Sequence, residues 1–377
     1  MSIDGIKSID FLVTAEGEGV INHNGAFTAY SPAAGEKVSN HLFPKLRGVD
    51  PFQKVRSEHD GQERTMSVRL DDPAFSKATL LVSAACIRSG LFRDVSHGLQ
   101  EVTTDNAAAV LAGLHGLVRG YLITRGGRNL ARKSPLYVTD FDCVEPGLVF
   151  SQGSNAHTRG TEREDTSLYS YYATAKNLTY TGRASLSVED LRFIPLEDSL
   201  GRSCYDFTTS IAEGERIAAA ITQHLRHLAP EGATPTARFV KKAVRQGSIE
   251  PVGDAGVLLD DAAVEIIAHE VRGLFETLAI RQGKGHLCVN NVVVDYNDTT
   301  RLFRGEQHPD AVVDSPTGRS FAAYYVEDAE ISDEDYEADQ KRRTDERKTR
   351  ASRKDTTGRS SEKATKKRAT KPPPSAS

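Results

Sequence analysis

The sequence predicts an α+β fold, a single sheet domain carrying loops. Near the start, Ile9, Phe11 and Val13 alternate with polar residues, which is the period of a half-buried strand. Farther along, Val264, Ile267, Val271, Leu274, Phe275 and Leu278 recur at three- and four-residue spacing, the period of a helix with one buried face. Such segments are intermixed, with long irregular insertions and no Gly-x-Gly-x-x-Gly or Walker pattern, and that arrangement argues for an α+β sheet with loops.

In chain order, a first strand of about nine residues runs from Ile6 to a turn at Gly17 and Gly19. The stretch from Asn22 to Gly48 reads as loop. Gln53 to Leu70 reads as a hairpin, because alternating residues flank His59-Asp60-Gly61 and Asp-Gly favours tight hairpin turns. Its faces are rich in charge, including Arg56 and Arg64, so it should project rather than lie in a core. Helices are expected at Ser76 to Phe92, Asp105 to Ile123 and Glu213 to Leu228, and strands at Ala184 to Ile194 and Leu287 to Tyr296. The amphipathic helix with Asp260 or Asp261 as N-cap is expected to end at Gly283 and Gly285.

The chain has 377 residues, of which 38% are hydrophobic, enough for a large core. No apolar run approaches the roughly 20 residues of a membrane span, and the first residues lack signal-peptide character, so a cytoplasmic protein without membrane contact is expected. Cys86, Cys143, Cys204 and Cys288 form no Cys-x-x-Cys pair, so buried free thiols are expected. His224 and His227 read as exposed helix residues without a third ligand. No metal or cofactor site follows from the sequence.

The net charge of −4 hides a segregation: residues 341–377 hold 14 Lys or Arg against 4 Asp or Glu, whereas residues 1–340 hold 34 against 48. This divides the chain into a folded part over residues 1–326, an acidic linker over 327–340 and a basic tail over 341–377 that is too poor in apolar residues to offset the entropy of ordering.

Basic segments punctuate the folded part. Ala279-Ile280-Arg281-Gln282-Gly283-Lys284-Gly285-His286 joins cationic and amide donors to glycines, as a polyanion-binding corner would, although an ordinary helix C-cap has the same composition. Arg119 to Lys133 carries Arg125, Arg128 and Arg132 around a Gly-Gly pair with no acid among them. Lys45 and Arg47 flank a proline-containing bend, and Arg88 and Arg93 lie near a helix end.

Several motifs, kept in order, resemble one family. They are Gly5 to Phe11, Asn40-His41 with Pro44 to Gly48, Cys86-Ile87-Arg88 with Leu91-Phe92-Arg93, Gly116 to Tyr121, Ser134-Pro135-Leu136, Ile280-Arg281-Gln282 with Lys284-Gly285, and Val294 to Asp298. Together they resemble the backbone subunit of CRISPR type I effector complexes (Cascade), most closely the minimal variant type I-F form. The resemblance implies an RNA-recognition-like, ferredoxin-type sheet with inserted finger and thumb elements. It also implies a non-catalytic subunit whose copies stack helically along guide crRNA and present it to target DNA, beside other Cascade subunits. Lys45, Arg47, Arg88, Arg119, Arg281, Gln282 and Lys284 become candidate RNA contacts, with Arg125, Arg128 and Arg132 added on charge alone. His286 and Tyr121 are candidates for base stacking. The hairpin from Pro51 to Asp72 is the first thumb candidate, with Met66 as a wedge, and Ala237 to Val252 the second. The alternative, an RNA-cleaving backbone subunit, would draw on Asp50, Asp60, Asp71 or Asp72, none of which belongs to a recognisable catalytic set.

Overall fold

The long antiparallel ladder that organises this protein begins with Ser8–Val20, a strand of 13 residues rather than about nine. It passes straight through Gly17 and Gly19, because both are paired with neighbours on the strand Lys284–Asn297. At Gly17 the sheet is so close that a Cβ would stand 2.7 Å from the His286 carbonyl oxygen. The computed structural model describes residues 5–23, 27–31, 36–42, 44–47, 52–56, 63–67, 78–93, 106–125, 128–145, 150–154, 169–173, 177–196, 202–204, 210–245, 253–282, 284–314, 325–327, 331–343 and 345.

Around Ser8–Val20 an eight-stranded sheet is ordered Ala279–Gln282, Lys284–Asn297, Ser8–Val20, Leu178–Ser187, Phe141–Cys143, Thr79–Val82 and Leu46–Arg47, with Leu136–Val138 also paired to Leu178–Ser187. All these pairings are antiparallel. Ile9, Phe11, Val13 and Ala15 point to one face and are buried. The helix Asp261–Glu276 lies on that face, with Val264, Ile267, Val271 and Phe275 buried and the Phe11 and Phe275 rings 5.6 Å apart. Each such side chain stabilises the fold by about 1.5–3 kcal/mol through burial. As expected, Asp260 caps this helix, accepting from the Ala263 N–H at 2.8 Å. The helix Ile211–Leu228 begins in the same way, with Ser210 accepting from Glu213 N–H.

Several expected boundaries move. The segment expected to be one helix from Ser76 contains the strand Thr79–Val82 before the helix Ala84–Leu91, since the short apolar run Leu80-Leu81-Val82 suits a buried strand as well as a helix. Asp105 to Ile123 is divided into a helix at Ala107–Leu111, a π-turn at His115–Arg119 and a strand at Tyr121–Arg125. Gly120 makes the break, with φ +73°, a conformation that side chains with a Cβ rarely adopt. Ala184 to Ile194 is divided by a one-turn helix, Val188–Arg192, between Leu178–Ser187 and Phe193–Pro195. Asn22 to Gly48 is not simply loop, because it contains strands at Phe27–Ser31, Glu36–Leu42 and Leu46–Arg47.

A second, four-stranded sheet is ordered Phe193–Pro195, Asp254–Leu259, Ala237–Arg245 and Tyr325–Glu327. Ala237–Arg245, part of the second thumb candidate, is paired with Asp254–Leu259 and with Tyr325–Glu327 in this sheet, and the rest of that candidate, 246–252, lies outside the described residues. The expected acidic linker is structured over much of its length: residues 333–343 are helical. Tyr336 is buried edge-on against Phe239, Lys241 bonds Ile331 O and Asp333, and Arg343 donates to Gly253 O. One aromatic anchor and two long cations therefore hold down an element whose composition suggested only solvation. The rest of the basic tail, beyond residue 345, lies outside the described residues.

Candidate nucleic-acid interface

The basic corner is a β-hairpin. The helix before it ends at Glu276, where Thr277 bonds back to Gly273 O, and Ala279–Gln282 then turns into Lys284–Asn297. Arg281 pairs with His286 and Gln282 with Gly285 across the turn, which excludes the C-cap reading of this segment. The physical reason is alternation: Leu278, Ile280 and Leu287 are buried, leaving Arg281 and His286 on the exposed face. Lys284 pairs with Val20 in the backbone ladder.

Gln282 points to the other side of the hairpin, where its amide donates to Cys86 Sγ at 3.7 Å. Burial pushes the Cys86 thiol up, against the opposing pull of Lys45 and Arg93. Lys45, Arg93, Cys86 and Gln282, from three segments remote in sequence, thus meet at the hairpin end of the sheet. Lys45 is held by its backbone, with its N–H on Asn22 O and its carbonyl on Leu81 N–H. Gly90 allows the Ala84–Leu91 helix to sit close to the hairpin, since a Cβ there would stand 2.9 Å from Leu278 Cδ1.

Other candidate residues are used inside the fold. Arg132 is 6% exposed and donates to the carbonyls of Leu117 and Asp190, so its charge serves the interior and not the surface expected from the run of like charges. Arg88 is half-buried and donates to the carbonyls of Leu136 and Arg119, and burial and the Arg119 charge lower its pKa. Arg119 ends the π-turn in a half-buried position. Arg47 is exposed but forms ion pairs with Asp140 and Asp142, and Asp140 also accepts from the Ala84 N–H at the start of the Ala84–Leu91 helix. Tyr121 is buried with its hydroxyl donating to Cys204 O, which removes its ring from any base. His224 is half-buried, not exposed, and burial together with His115 and His227 pulls its pKa down.

Arg125 and Arg128 face each other in the backbone register of the hairpin formed by Tyr121–Arg125 and Arg128–Arg132. The first thumb candidate contains an antiparallel pair, Phe52–Arg56 with Glu63–Ser67, in which Arg56 is opposite Glu63, Val55 opposite Arg64 and Gln53 opposite Met66. Its turn, and the acids Asp50, Asp60, Asp71 and Asp72, lie outside the described residues.

The Val294 to Asp298 motif also holds a network that composition and spacing did not disclose. Arg304 pairs with Asp295 and Asp298 while only 9% exposed. Beside it, buried Asp10 accepts from Ser185, Asn297 and the Phe303 N–H. These contacts fasten the segment after the last long strand across one end of the sheet. Paired charges are how such groups tolerate burial, and only an Asp-rich strand end followed by Arg301 and Arg304 hinted at it.

No curated protein matches the chain. The crystal structure of Thermofilum pendens Csc2 is similar at 9% identity over 70% of this chain and 74% of that one, with a TM-score of 0.22, too low to carry an argument. A family model described as Type I-Fv CRISPR-associated protein Cas7fv-like matches residues 5–328, the stretch that holds both the sheet and the ordered motifs. The chain therefore belongs to the type I-Fv Cas7fv-like family and is a backbone subunit of the type I Cascade class.

Proposed function

We propose that this protein is the non-catalytic subunit that oligomerises helically along guide crRNA and presents it for pairing with target DNA, in company with other Cascade subunits. The observation that carries this reading is the convergence of Lys45, Arg93 and Gln282 around Cys86, next to the exposed Arg281 and His286. Cations and amides drawn from separate segments to one rim suit a phosphate backbone, and sequence is then left to base pairing. Chain order supports an RNA-recognition-like, ferredoxin-type sheet. Ser8–Val20, the helix Ala84–Leu91, the strands at 136–143, Leu178–Ser187, the helix Asp261–Glu276 and Lys284–Asn297 follow in sequence, and the strands are placed in the order last, first, third, second. The hairpin of Phe52–Arg56 and Glu63–Ser67 is proposed as the thumb.

The test is single-strand RNA binding across a salt series. Replacing Arg281 and Lys284 together by Ala should remove about two phosphate contacts and lower the log–log salt slope by about 1.4. Folding should persist, because the buried stripe of the hairpin is untouched. Unchanged affinity and slope, with a lower melting temperature, would return the hairpin to a purely structural role.

A further inference from the structure

At the opposite end of the sheet from the basic hairpin is a cavity of about 430 Å³, bordered by Lys7, Ser8, Lys133, Tyr137, Asp190 and Leu302 among others. Ser8 pairs with Asn297 whereas Gly19 pairs with Gly285, so this cavity and the hairpin are separated by roughly 35–40 Å at 3.3 Å per residue. We propose that it binds one nucleotide of single-stranded RNA, with the base against Tyr137 and the phosphate between Lys7 and Lys133. The proposal rests on the RNA-binding function above and adds a second contact to it.

The first observation is an exposed aromatic residue held by a rigid strand. Tyr137 is 58% exposed, and its neighbours Leu136 and Val138 are buried, so alternation turns the ring outward beside Leu302, which is 50% exposed. Tyr137 is also fixed in register opposite Ser185. A flat ring with an aliphatic neighbour, at a cavity mouth, suits base stacking.

Charge and an unused hydroxyl supply the second observation. Among the described residues Lys7 has no ion-pair partner, and Lys133 is 86% exposed with only a 3.6 Å approach to Asp190. The Ser134 hydroxyl donates to Val118 O and that of Ser185 to Asp10. Ser8, by contrast, is 4% exposed and its Oγ is buried without a hydrogen-bond partner. A buried hydroxyl without a partner is costly, and a ligand's polar edge would satisfy it. Backbone bonds from Lys7 N–H to Asn297 O and from Val188 N–H to Lys7 O hold this floor in place. The volume is within the range of small-ligand sites, about 300–1,000 Å³.

The experiment titrates a fluorescently labelled uridine oligoribonucleotide into the full chain and its variants. Tyr137→Ala should weaken binding about tenfold or more, within the range for loss of one stacked base, while Tyr137→Phe should match the parent. A Lys7→Ala, Lys133→Ala double variant should weaken binding and flatten its salt dependence. A 4-thiouridine version of the same RNA should crosslink to the peptide containing Tyr137. If the parent protein binds no RNA, the functional reading itself fails. If the parent binds but Tyr137→Ala is unchanged and no crosslink maps there, only the pocket assignment is overturned. Loss of RNA-free self-association in Tyr137→Ala, with RNA affinity intact, would identify the cavity as a protein-docking surface and would also overturn it.

Discussion

A guanidinium buried at position 132 must find its acceptors inside the protein, and it does so on the backbone carbonyls of Leu117 and Asp190. Arg132→Ala should therefore lower stability by about 1–3 kcal/mol, through carbonyls left without a donor, while RNA affinity per folded molecule stays unchanged. Denaturant unfolding together with an RNA titration reads both, and a variant that keeps its stability but loses RNA would reverse this assignment. Cysteine reactivity offers an independent check of the packing. Of the four thiols expected to be buried, Cys143 and Cys204 are, whereas Cys86 is half-buried and Cys288, on a strand face turned to solvent, is exposed. Burial pushes the Cys143 thiol up to about 11, so it holds little thiolate at neutral pH. Timed alkylation with mass mapping should modify Cys288 first and Cys143 and Cys204 only on unfolding. Fast modification of Cys143 would mean that its strand is not packed as described.

Among the elements, the helix at 333–343 is held by Tyr336 on Phe239 and by cations at both ends. Burial raises the Asp339 pKa, but Arg342 and Arg343 outweigh it and hold the carboxylate below its ordinary 3.8. A pKa depressed by folding means that ionised Asp339 adds stability above the unfolded value, and that this contribution disappears as pH falls through the folded one. Amide exchange over 333–343 should accelerate below about pH 4, and Asp339→Asn should abolish that local dependence. Tyr336→Ala should release the helix at neutral pH while the eight-stranded sheet keeps its protection. Equal acceleration throughout the molecule would show that the helix has no independent docking equilibrium. For the hairpin of Phe52–Arg56 and Glu63–Ser67, shortening to a minimal turn should disorganise periodic nuclease protection on bound RNA without unfolding the sheet. Persistence of the periodic footprint would remove this hairpin from the thumb role.

At the scale of the whole molecule, the basic hairpin and the Tyr137 cavity occupy opposite ends of one ladder, so the proposed chain of subunits on one RNA would have a candidate contact at each end of every copy. Assemblies formed on RNA should lengthen in steps as the RNA lengthens, as read by sedimentation. An RNA-independent particle of constant size would contradict helical assembly along a guide. Because phosphate contacts dominate such binding, assembly should also weaken steeply with salt.

Periodicity alone was enough to identify the helices at 211–228 and 261–276 and the strands beginning near residues 8 and 287, since a buried face leaves its repeat in the residues themselves. The ordered motifs carried the family. Tertiary structure decided what each charge does, because Arg132 and Arg281 are identical in chemistry and differ only in whether the strand alternation turns them inward or outward. It also turned the glycine-rich corner into a hairpin, through pairing with Ser8–Val20 and its neighbours, and folded the acidic segment onto Phe239. Those outcomes depend on tertiary partners, from the Leu117 and Asp190 carbonyls around Arg132 to the distant Ser8–Val20 strand and the Phe239 ring, and neither local spacing nor composition contains that information.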